Sequence, residues 1–132
     1  QCNGTHYMRV MHEVVTPVLK KFQPDIIFVS AGYDAHEYDG LSDMKLVYTD
    51  YYHIIRHICS LSEELCKGRI VCFLEGGYSV GGLQSSSLAT VAALCGHQCP
   101  DIPVYPLRDK RVVGSEPMMK QLKKKILDVY WK

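Results

Sequence analysis

Two glycine-bearing segments carry the residues best suited to chemistry. The first is SAGYDAHEYDGL, Ser30 to Leu41, with Asp34, His36, Glu37 and Asp39; the second is EGGYSVGG, Glu75 to Gly82, with Tyr78. A carboxylate directly after the Gly32-Tyr33 turn can project from a loop and bind a hard or borderline cation such as Zn2+. An aspartate there suits an Asx turn or a helix cap as well. Asp34 and His36, two apart in an extended segment, point to one side and offer a chelating pair, although a loop histidine that is only solvated or hydrogen-bonded is the plainer reading. In the second segment glycines let backbone N–H groups approach an anion, but Gly82 stands where a phosphate loop needs Lys, and the dinucleotide spacing G-x-G-x-x-G is absent. The glycines instead make room beside Tyr78, whose phenol can donate to a polarised carbonyl; a ring packed on a sheet edge explains it equally well. Cys95, His97 and Cys99 are close enough to chelate a metal, yet a fourth ligand is lacking and Pro100 follows, so ordinary loop residues are the better reading.

Both segments follow short apolar runs. Asp25 to Ala31 (DIIFVSA) and Arg69 to Leu74 (RIVCFL) are nearly continuous and β-branched, the pattern of strands buried on both faces of a parallel sheet. Helical spacing of Tyr7, Met11, Val14, Val15, Val18 and Phe22 predicts a helix capped by Thr5, stopped at Gln23-Pro24 and kinked at Pro17. Gly32 to Tyr48 reads as an extended loop. A second helix capped by Thr49 turns Tyr51, Ile54, Ile55, Ile58, Leu61 and Leu65 inward and ends at Gly68. A third runs from after Tyr78 to near Gly96. After a Pro-punctuated connection, Cys99 to Arg108, a last helix is capped by Ser115, with Met119, Leu122, Ile126 and Val129 inward and Lys120, Lys123, Lys124 and Lys125 facing water. The order α-β-α-β-α predicts an α/β fold: part of an open, mainly parallel sheet with flanking helices. In such sheets ligands bind where loops leave the carboxyl ends of the strands, and both unusual loops lie there.

With 132 residues, 47% hydrophobic and 22% charged, the chain has the composition of one ordinary globular core. Fifteen Lys and Arg against fourteen Asp and Glu leave a net charge of +1, too little field to favour nucleic-acid binding. Gln84 and Ser85 to Ser87 interrupt the uncharged stretch from Gly76 to Pro100, which makes a membrane span a poor reading. The six cysteines show no CxxC spacing and sit mostly in apolar segments, so reduced, intracellular thiols are expected.

The two loops together resemble the zinc-dependent histone deacetylase family, which includes prokaryotic deacetylase-like proteins and acetylpolyamine amidohydrolases. The resemblance is carried by PDIIFVSAGYDAH (Pro24 to His36), the helix at Tyr51 to Cys66, GRIVCFLEGGYS (Gly68 to Ser79) and the small-residue helix after it, with SAGYDAH closer to the class II and prokaryotic branch. It implies an arginase/deacetylase-like fold and a zinc amidohydrolase acting on acetyl-lysine proteins or acetylated polyamines. It also implies that Asp34 is a zinc ligand, that Tyr78 hydrogen-bonds the scissile carbonyl, that Gly76 and Gly77 line the acyl-lysine channel, and that Leu41 is an apolar channel residue. His36 matches no ligand.

Departures set further expectations. Asp39-Gly40-Leu41 replaces the usual Asp-Pro-Leu and is expected to loosen the turn. The paired histidines and the Asp-x-His ligands of the family are not found in this sequence, and one carboxylate does not make a catalytic zinc site. The chain, which begins Gln1-Cys2, is therefore expected to be the C-terminal part of a longer deacetylase, inactive alone, with zinc completed by ligands outside it. Residues 1–98 would belong to the catalytic domain and 99–132 to a connection and terminal helix of that domain, in the cytoplasm or nucleus. The alternative is a non-catalytic remnant that serves as a binding or interaction domain; a nucleotide-binding domain is disfavoured by the phosphate-loop mismatch.

Overall fold

The computed structural model describes residues 2–102 and 120–126. Its elements are α1 (Gly4–Val10), a π-helical segment (Met11–Val15), α2 (Thr16–Phe22), β1 (Ile27–Ala31), α3 (Tyr48–Cys66), β2 (Ile70–Leu74) and α4 (Val80–Leu94). The strands pair in parallel, Ile27 beside Ile70 through Ala31 beside Leu74, with α3 as the crossover. This is the α/β arrangement with an open parallel sheet and flanking helices that the element order predicts.

The first helical run is continuous from Gly4 to Phe22 but changes its winding immediately before Pro17. The Thr16 N–H reaches the Met11 carbonyl, five residues back, so the expected kink takes the form of a π segment. The cap is Asn3 rather than Thr5, and Asn3 Oδ1 lies 2.7 Å from His6 Nδ1. Gln23, at φ 54, closes α2. Helix α3 starts after Val47, not at Thr49; Asp50 Oδ2 accepts the Val47 N–H at 2.9 Å and so caps the helix from within its first turn. Lys67 and Gly68, at φ 55 and 72, end it.

One face of the sheet carries the core. Ile27, Val29, Ile70 and Cys72 pack against Met11, Ile55, Ile58, Cys66 and Ala93 from the helices, and Ala31 against Tyr33, Leu46 and Tyr51. The other face is open: Phe28 and Phe73 are 61% and 53% exposed, their rings 5.8 Å apart. Among the described residues the strands are therefore covered on one side and not both, because the helices that pack on them there use the same alternate residues.

The stretch from Gly32 to Val47 is a loop, as predicted, but a tethered one. Glu37 N–H donates to the Leu46 carbonyl at 2.8 Å, Leu46 N–H to Ala35 at 3.1 Å and Lys45 N–H to Cys2 at 2.8 Å. Leu122 and Ile126 lie in a helical stretch over residues 120–126, where Lys120, Lys124 and Lys125 are exposed. Lys123 does not simply face water; it pairs with Glu13. Ser115, Met119, Val129 and residues 103–108 of the predicted connection lie outside the described residues. All six cysteines are free, with Cys66 buried and Cys95 exposed. Among the described residues no helix is long and apolar enough to cross a membrane.

Candidate active site

Parallel pairing carries the two chemical loops side by side past the strand ends. Beyond the ladder, Glu75 N–H donates to the Ala31 carbonyl at 3.1 Å and Tyr33 N–H to the Gly76 carbonyl at 2.9 Å. Asp34 therefore leaves its strand beside Gly76. A Cβ on Gly76 would sit 2.8 Å from Asp34 Oδ2, so only glycine leaves the carboxylate its place. The Ser42 hydroxyl donates to the Asp34 carbonyl at 2.7 Å and holds the backbone behind it. Gly77, at φ 128, turns the second loop against Tyr33, whose Cβ would lie 3.0 Å from an added methyl.

A cavity of about 310 Å³ opens at this edge, lined by Asp34, Tyr7, Ser30, Leu46 and Tyr51 among others. Tyr51 is 8% exposed, and its hydroxyl has no hydrogen-bond partner among the described residues. Burial foremost, with Tyr7 and the acidic Asp34 and Asp50 nearby, pushes that phenol well above its ordinary pKa and keeps it protonated. Burial likewise raises the Tyr7 phenol. Neutral donors thus stand around the Asp34 carboxylate, a setting suited to a cation or a polar group of a bound molecule.

The sequence-predicted residues divide clearly. Asp34, Gly76 and Gly77 meet at one sheet edge. Tyr78 follows them, 68% exposed, with its N–H bound to Asp39 Oδ2 at 2.7 Å. Leu41 is 74% exposed and held through its N–H, 2.9 Å from Asp39 Oδ1. His36 does not join Asp34 as a chelating pair. It is 2% exposed, stacks with Tyr51 at an interplanar angle of 9°, and packs where a Cβ on Gly82 would come within 3.0 Å of its ring. Its Nδ1 accepts the Tyr38 N–H at 3.1 Å, and burial lowers its pKa, so the ring is neutral packing. The Asp39-Gly40-Leu41 turn is not loose either, because the Asp39 side chain closes it as an Asx turn.

Asp39 is what sequence reasoning missed. It is 3% exposed and accepts three backbone N–H groups, from Leu41, Tyr78 and Ser79, which hold its carboxyl below the ordinary range, Leu41 foremost. The Asp-Gly dipeptide signals a turn, but its bond to Tyr78 spans 39 residues and has no local signature.

The Asp34 carboxylate suits one position of a zinc site, in chemistry and in the cradle that Gly76 leaves for it. Among the described residues no group of three or more His, Cys, Asp and Glu side chains is placed to hold an ion, so a full ligand set is not found there.

Comparison with known proteins gives the family and the fold. Residues 1–94 match the profile of the histone deacetylase domain. Histone deacetylase 14, chloroplastic, of Arabidopsis thaliana is 45% identical over 115 residues, covering 84% of this chain and 26% of that protein. A probable deacetylase of Archaeoglobus fulgidus is 35% identical over 137 residues, covering 96% of this chain and 38% of its own length. The chain thus spans well under half of these relatives. Among solved structures, the histone deacetylase Clr3 superposes with a TM-score of 0.79 at 26% identity, over 99% of this chain and 20% of Clr3. The HDA15 HD domain gives 0.77 at 23% identity, over 97% of this chain and 33% of that one, a likeness of fold.

Proposed function

The chain belongs to the histone deacetylase family, and from that premise we propose that it supplies part of the active site of a zinc-dependent amidohydrolase that removes acetyl groups from lysine side chains or other acetylated amines. The observation that carries this reading is the packing of the Asp34 carboxylate against Gly76, two residues before Tyr78, at the carboxyl edge of a parallel sheet. Asp34 is the residue of this chain to hold zinc, together with ligands from outside the sequence. Zinc so bound would polarise the amide carbonyl and acidify a water molecule.

The remaining contributions are those of the chain itself. Tyr78 donates a hydrogen bond to the carbonyl oxygen as negative charge grows on it, a contact typically worth about 3 kcal/mol in such sites. Gly76 and Gly77 keep the wall free of side chains, so that an extended acyl-lysine stem can approach, and Leu41 flanks that approach with an apolar surface. The site belongs to residues 1–98, with 99–132 continuing the same domain, in an intracellular protein of the cytoplasm or nucleus.

The test is turnover of an acetyl-lysine peptide by the full-length protein. Tyr78→Phe is expected to lower kcat about 100-fold or more, with zinc content unchanged. The alternative reading is a non-catalytic binding domain. That reading prevails if the native protein neither binds zinc stoichiometrically nor turns the peptide over.

A further inference from the structure

The Asp39 carboxylate touches both chemical loops, yet the proposed reaction gives it no task. Its Oδ2 accepts the N–H of Tyr78 at 2.7 Å and of Ser79 at 3.2 Å, while Oδ1 accepts the N–H of Leu41 at 2.9 Å. Tyr78 needs such an anchor. Its residue is 68% exposed and follows two glycines, the second at φ 128; the Tyr33 N–H holds the Gly76 carbonyl behind it, but the contact that ties the backbone of Tyr78 itself to the first loop is the Asp39 carboxylate. We propose that Asp39 is a positioning residue for Tyr78, fixing the backbone of the second loop against the first so that the phenol is aimed before substrate arrives.

The inference rests on the reading of Tyr78 as the carbonyl donor. Both carboxylate oxygens are required, since N–H donors approach from two sides and an asparagine would turn its NH2 toward one set of them. Asp39→Asn therefore releases either the Leu41 turn or the Tyr78–Ser79 pair while barely changing the side-chain volume. Small errors of aim are costly to a group that acts only as charge develops on the substrate.

A residue that merely caps α4 would lower stability without acting through Tyr78, and kinetics on the full-length protein separate the two roles. With an acetyl-lysine peptide, Asp39→Asn is expected to lower kcat about 10- to 100-fold and to move KM by less than about 3-fold. Combined with Tyr78→Phe, it is expected to cost no more than about 3-fold beyond Tyr78→Phe alone, because both act through one phenol. Asp39→Glu, which keeps two acceptor oxygens, recovers part of the rate and carries the same comparison if the asparagine variant does not fold. Losses that multiply in the double variant, or an unchanged kcat in Asp39→Asn, overturn the proposal. If Tyr78→Phe leaves kcat unaltered, the catalytic reading itself fails, and hydrogen exchange at the Tyr78 and Ser79 amides decides the anchoring. Exchange about 10-fold faster in Asp39→Asn supports it; equal exchange overturns it.

Discussion

At the residue scale, glycines determine whether the carboxylate and the phenol can serve one site. Gly76→Ala would place a methyl 2.8 Å from Asp34 Oδ2 and displace the carboxylate. We expect the variant to lose zinc affinity and turnover by about 10-fold or more, with little change in urea midpoint; unchanged zinc content would refute the cradle. Gly77→Ala acts differently, because φ 128 is unfavourable to any Cβ and Tyr33 stands 3.0 Å away. It is expected to destabilise the fold by about 1–3 kcal/mol, read from urea unfolding. That Asp34 and the Gly76-Gly77 pair lie together was legible in the sequence because each follows a buried strand at its carboxyl end, where local pattern and topology coincide; the roles proposed for Asp34 and Tyr78 come from the family resemblance and not from spacing. The role of Asp39 was not legible, since its decisive partner is set by strand pairing. For His36 the spacing offered a chelate, a hydrogen-bonded loop histidine was the plainer expectation, and the structure gives a hydrogen-bonded ring that is also buried and stacked on Tyr51.

At the scale of elements, the long first helix and α3 meet through a histidine pair that makes their contact sensitive to acid. His57 Nε2 lies 2.8 Å from the Thr16 hydroxyl, and its ring packs edge-on against His12 at 4.4 Å. Desolvation first, then His12 and Lys20, lower the His57 pKa; desolvation does the same for His36. A histidine depressed in the folded state binds fewer protons there than in the unfolded chain. Its stabilisation is complete above the ordinary value of 6.5 and is lost as pH falls through the lower folded value. Unfolding free energy is therefore expected to decline on acidification below 6.5, with a shallower decline in His57→Gln. An identical slope in the variant would remove His57 from the account. Helix positions were readable from apolar periodicity, whereas the caps shifted. Thr5 and Thr49 are suitable cap types, but Asn3 starts α1 and Asp50 reaches back to Val47. Pro17 announced a disturbance without saying that the ladder would rewind as a π segment.

At the scale of the molecule, the strands read as doubly covered while one face stands bare. Residues such as Phe28, Val71 and Phe73 wrote an apolar pattern that, among the described residues, the helices cover on one side only. An exposed apolar surface of this kind drives association, so the isolated 132-residue chain is expected to self-associate with concentration in sedimentation. Phe28→Ser with Phe73→Ser should reduce that association; no reduction would show that another surface is responsible. The architecture was legible because alternation of helices and buried strands leaves few topologies, but coverage depends on what lies against the sheet, which periodicity does not encode. The claim on which the rest depends is that Asp34 holds a metal beside Tyr78. Its most direct test is the zinc content of the full-length protein by mass spectrometry, native against Asp34→Asn. The account predicts one zinc per native chain and about a tenth or less in the folded variant; equal zinc in both proteins, or none in the native one, would contradict it.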